Sequence, residues 1–98
     1  MLNIYAAICR KANDKWLRNP QTGVERNKDE LLTLIASKIS KAIEGERKDL
    51  MDDKLPHRRM VEVELADALI CIFAYAGANG LDLNGAFQEK IQHHRKRP

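Results

Sequence analysis

The chain has 98 residues, enough for one domain, residues 1 to 98, whose own core is modest by the scaling of buried surface with size. Its 17 basic and 14 acidic residues leave a formal charge of +3, a near-balance that sets aside the strongly basic nucleic-acid-binding extreme. No apolar run reaches the length of a membrane span, and "MLNIYAAICRK" lacks the basic-then-apolar order of a secretory signal, so a cytoplasmic protein is expected.

Helical periodicity fits nearly everywhere, and no alternating apolar and polar run is bounded by hairpin turns, so the predicted class is all-α. A first helix is expected over about residues 3 to 17, burying Ile4, Ala7, Ile8, Leu17 and part of Trp16. "RNPQTGVERN" then breaks it with Pro20 and Gly23 into a polar, mobile loop. Asn27 caps the second helix, with Glu30 placed to return the hydrogen bond as in a capping box, and the helix runs to about Asp49. Leu31, Leu32, Ile35, Ile39, Ala42 and Ile43 fall on one arc of that helix; Lys38 borders the arc and Lys41 lies one turn along the same edge. Gly45 weakens its end, and "LMDDKLPH" is a joint closed by Pro56.

The third helix, about residues 58 to 77, is apolar almost all round and is expected at the centre of a bundle. Its exception is a narrow stripe of Glu64, Asp67, Cys71 and Ala74. The glycines of "GANGLD" suit a left-handed cap, and Asp82 or Asn84 starts a last helix that leads into the basic tail "HHRKRP". That tail reads as solvated surface, with a capacity to attract phosphates. Cys9 and Cys71 lie far apart on apolar faces and read as buried core thiols in a reducing compartment.

Carboxylates on an otherwise apolar helix need a partner, because an unpaired charge in a low-dielectric interior is costly. Glu64 and Asp67 are three residues apart, point the same way, and suit either one divalent cation or a basic side chain.

From "ERNKDELLTLIASKISKAIEGERKDLMDDKLPHR" through "EVELADALICIFAYAGANGLDLNGAFQEK", about residues 25 to 97, the chain resembles a short MazG-like nucleotide pyrophosphohydrolase of the all-α superfamily that also holds dimeric dUTP pyrophosphatases. The resemblance implies a four-helix, bundle-like fold completed as a homodimer or a dimer of dimers. It implies a Mg²⁺ (or Mn²⁺) site built from E-E-x-x-E on one helix and E-x-x-D on the next, and cleavage of a nucleoside triphosphate into monophosphate and pyrophosphate. Glu64 and Asp67 match the second half of that motif, as catalytic and metal-binding residues. The first half does not match: Ser37, Lys38 and Lys41 stand in its place, and Glu44 one turn later is not a motif position. Ala74 occupies another position where relatives carry an acid, Cys71 one where a basic residue is frequent, and His94 one where an asparagine is frequent.

These departures change the local charge. Four carboxylates would make about −4 and recruit metal, whereas two carboxylates and two lysines sum to about zero. Lys38 and Lys41 are therefore expected to form ion pairs with Glu64 and Asp67, with weak or absent metal binding and impaired catalysis. The alternative is a catalytically inactive oligomeric module that binds nucleotide, with the lysines holding phosphate oxygens as point charges, or that binds another macromolecule through its basic surface. The resemblance assigns phosphate contacts to Lys90 and Arg97, and Trp16 is a candidate for stacking a base, against the plainer reading of a Trp that packs the first helix. His57, His93 and His94 make no metal signature: two are adjacent and point apart, and the third follows a proline in the joint.

Overall fold

The computed structural model describes residues 1–96 and is all-helical there: α1 Leu2–Ala12, α2 Asp14–Leu17, α3 Lys28–Lys48, α4 Met60–Ala78 and α5 Leu83–Arg95. No strand occurs among the described residues; two isolated bridges, between Arg18 and Glu25 and between Met51 and Arg59, close the two longer connections. The first expected helix is split in two at Asn13. Both the backbone N–H and the side-chain Nδ2 of Asn13 donate to the Cys9 carbonyl, at 2.9 and 3.1 Å. This local side-chain competition ends one helix, and the Asn13 carbonyl, accepting from Trp16 and Leu17, starts the next. The following loop is hydrogen-bonded within itself: Asn19 Oδ1 accepts from the N–H groups of Gln21 and Thr22, and Gly23 takes the positive φ of 73° that its turn needs.

Asn27 caps α3 by accepting from the Glu30 N–H at 2.7 Å. The Glu30 carboxylate pairs instead with Arg26, so the expected reciprocal half of the capping box is replaced by an ion pair. α3 ends at Asp49, a non-glycine residue in the left-handed region with φ 52°. The joint that follows is built on Asp52, which is buried. Its Oδ2 accepts from the N–H groups of Lys54 and Leu55, at 3.0 and 2.8 Å, and its own N–H donates to the Arg58 carbonyl. Glu62 then accepts from the Arg59 N–H at 3.0 Å and starts α4.

α4 is the central helix, packed against both α1 and α3. Both contacts depend on glycine. A Cβ on Gly77 would collide with the Ala6 carbonyl oxygen of α1, and one on Gly45 would sit 2.9 Å from the Met60 side chain. Gly45, expected from sequence to weaken the end of α3, is thus a place where α3 closely approaches the start of α4. Asp82 caps α5 by accepting from the Gly85 N–H, and it also accepts from Asn3 Nδ2 at 2.9 Å, which ties α5 to the start of α1.

The buried core is small and made largely of short side chains: Ala6, Ala42, Ala68, Ala74 and Ala76 with Leu17, Leu31, Cys71 and Phe73. Several apolar positions expected inside are outside. Ile4 and Ile8 are 65% and 56% exposed, Ala7 is exposed, and Leu32, Ile39 and Ile43 form an open stripe along α3. Cys9, expected in the core, is only half-buried. Periodicity located the apolar faces, but in a chain this short the closest helix contacts are made by small residues, and the larger side chains on the flanks stay uncovered.

Candidate functional site

The chemistry-bearing residues converge where α3 and α4 face each other beside the joint. A cleft of ≈ 820 Å³ is lined there by Lys38, Lys41 and Glu44 from α3, Glu64 and Asp67 from α4, and Asp53 and Lys54 from the joint. Helical spacing puts Lys38, Lys41 and Gly45 on the edge of α3 that meets α4, and the glycine lets the two helices come close enough for side chains to pair across the gap.

Lys38 Nζ lies 2.8 Å from Asp67 Oδ2, with the two side chains 24% and 42% exposed. The hydrogen bond to Asp67 is the chief reason that the Lys38 ammonium is held above its ordinary value of 10.5; burial opposes it, and the charges of Asp67 and Glu64 add to it. The second oxygen of Asp67 faces the Cys71 thiol at 4.0 Å, a long contact in which sulfur donates. Burial, followed by the negative charge of Asp67, pushes the Cys71 thiol up to about 11, so it stays protonated at neutral pH.

The expected symmetry of two ion pairs is not found. Lys41 lines the same cleft but is exposed, and among the described residues it makes no ion pair with Glu64. Glu64 is half-buried, and its Oε2 is enclosed with no hydrogen-bond partner. Lys41 is exposed, so its ammonium is solvated at little cost, while the less exposed Lys38 is held against Asp67.

The remaining sequence candidates lie elsewhere. Ala74 is fully buried and is not among the cleft-lining residues. Trp16 is half-buried on α2, where its carbonyl accepts from Arg26 Nε at 2.9 Å, and it does not line the cleft. Lys90 and His94 are exposed on α5, also away from the cleft, and Arg97 lies outside the described residues. What sequence reading missed is the joint. Lys54 and Asp53 reach the cleft because Asp52 folds the "DDKL" segment back on itself, and an acid two and three residues before bonded N–H groups was the available signal. Among the described residues no group of three or more His, Cys, Asp or Glu side chains is placed to hold a metal ion.

Comparison of the chain with protein-family models, with curated proteins and with solved structures returns no significant match. The fold and site define an all-α domain with a mixed lysine and carboxylate cleft between two helices. No helix among the described residues is long and apolar enough to cross a membrane.

Proposed function

We propose that this chain is a MazG-like protein of the nucleoside triphosphate pyrophosphohydrolase type whose metal half-site on α3 has been exchanged for lysines. Cleavage of nucleoside triphosphates to monophosphate and pyrophosphate is severely weakened as a result. The observation that carries the reading is the 2.8 Å contact between Lys38 and Asp67. Mg²⁺ demands oxygen ligands in near-octahedral order, and an ammonium offers none. In this cleft the carboxylate that would bind metal is already bonded to a cation, and Lys41 adds a second positive charge at the rim. The enclosed Glu64 Oε2 is the single feature that favours a ligand, and one carboxylate oxygen does not make a Mg²⁺ site. The donor set therefore does not fit the metal that the resemblance implies, and no water-activating step is derived for it.

Nucleotide binding without cleavage is the second reading. It is favoured by Lys41 and Lys54, which line the cleft and make no ion pair among the described residues. The proposal includes assembly as a homodimer or a dimer of dimers. Pyrophosphate release from a panel of ribo- and deoxyribonucleoside triphosphates, with and without Mg²⁺ or Mn²⁺, tests the first reading. No metal-dependent release above background is expected, and turnover in the ordinary enzymatic range of about 1 s⁻¹ or more would refute it.

A further inference from the structure

The accessible surface of the chain is 7456 Å², whereas a folded monomer of 11.2 kDa exposes about 5,700 Å². Its radius of gyration is 15.3 Å against about 12.6 Å for a compact domain of this length. The molecule is a slab of 42 × 39 × 22 Å, and its short dimension is roughly two helix diameters. A fold two helices thick leaves every helix with one face uncovered. The excess surface of about 1,800 Å² exceeds the roughly 800 Å² that each partner buries in a standard interface.

Besides the open positions on α1 and α3, two further uncovered faces are apolar in a pattern that charge or turn chemistry does not explain. On α4, Leu65, Leu69 and Ile70 are exposed, with Leu69 at 51%. α1 has 11 residues against 19 in α4 and makes its tight crossing at Gly77, so this stripe toward the other end stays open. On α5 no residue is buried at all, although Leu83, Phe87 and Ile91 recur at a spacing of four, with Phe87 48% exposed. α5 packs chiefly against α1 and is held there by polar contacts of Asn3 with Asp82 and Asn84. An amphipathic helix without a core of its own gains little from folding alone.

We propose that a second copy of this chain covers the α4 stripe and the apolar edge of α5, in an isologous dimer. This builds on the self-association proposed above and adds the face that carries it. The same area argument selects a copy of the chain as occupant: the excess of about 1,800 Å² lies in the range of about 1,000–2,500 Å² that each subunit of an obligate homodimer buries. The face also borders the candidate site. An apolar groove of ≈ 500 Å³ beside the stripe contains Ala66 and Ile70, and it shares Leu55, Val63 and Asp67 with the lysine cleft. A partner seated there walls one side of the cleft and removes water from around the Lys38/Asp67 pair.

Light scattering with dilution tests the proposal. The parent chain is expected at twice 11.2 kDa at tens of micromolar. Leu69→Glu and Phe87→Glu are each expected to raise the dimer dissociation constant roughly 30-fold or more, as for a residue central to an interface. Val24→Glu, on the exposed loop before α3, should leave it unchanged. Hydrogen exchange on the parent provides a readout that does not depend on the variants folding: α4 and α5 amides should gain protection as concentration rises. A parent that stays monomeric overturns both this inference and the assembly proposal. A dimeric parent whose Leu69→Glu and Phe87→Glu variants remain dimeric, or whose α5 protection does not change with concentration, overturns the face and leaves the assembly and the site reading standing.

Discussion

Replacing Lys38 with methionine keeps most of the side-chain stem and removes the ammonium, so it isolates the charge. The pair it breaks is neither exposed nor fully enclosed, with Lys38 24% and Asp67 42% accessible. Exposed pairs contribute about 0–1 kcal/mol, and removing one partner of a buried pair costs about 3–5 kcal/mol, so partial burial places Lys38→Met near 1–2 kcal/mol. Part of that cost is the stranded Asp67 carboxylate, with the enclosed Glu64 oxygen close by in the same cleft. Asp67→Asn should remove a similar amount, and the double variant should lose less than the sum, with a coupling of about 1 kcal/mol. The measurement is urea unfolding of the four proteins at one protein concentration, with the slope required to stay constant. At 1 M salt an exposed pair would lose its coupling, whereas this one should keep most of it. A coupling below about 0.3 kcal/mol would show that the contact holds nothing in place and would refute the account of why Lys38 stands where it does.

Changing Lys38 and Lys41 together to glutamate should lower stability without metal, because four carboxylates then face one another, and millimolar Mg²⁺ should restore it by binding the folded state. A double variant whose melting temperature does not respond to Mg²⁺ would count against the placement of the site. Gly77→Ala should cost about 1–3 kcal/mol in thermal or urea unfolding, since its new methyl group meets the rigid Ala6 carbonyl rather than a flexible side chain. The Cys71 thiol is raised in the folded chain from 9.0 to about 11, so the folded state holds that proton more tightly than the unfolded one. Stability is thus full below pH 9 and falls as pH rises toward 11, by at most roughly 2–3 kcal/mol, and a Cys71→Ala variant should show a flatter profile over that window. Lys38, raised above 10.5, loses its contribution in the same direction at still higher pH.

The helices α3, α4 and α5 were legible from caps and apolar periodicity because Asn27, Gly80 and Asp82 mark their ends by local chemistry. The break at Asn13 was not, since it depends on one amide competing for the Cys9 carbonyl within an otherwise continuous helical pattern. Pairing of Lys38 with Asp67 could be anticipated because helix spacing and charge balance both require a partner for a carboxylate on an apolar helix. The solitary state of Lys41 could not, because helical spacing puts Lys38 and Lys41 on one edge of α3 without telling which of them is covered and which stays exposed. Which apolar residues stay outside was equally hidden: a helical wheel gives the direction of a face but not whether anything lies opposite it.

Calorimetric titration of the parent chain with Mn²⁺ tests the central claim, that a lysine has taken the place of metal, most directly. The Lys38/Asp67 pair predicts heats no larger than those of scattered surface carboxylates, with no saturation below about 1 mM and no change on Asp67→Asn. A stoichiometric site in the micromolar range that disappears in Glu64→Gln or Asp67→Asn would mean that Lys38 swings away to admit a cation, and the account would be wrong.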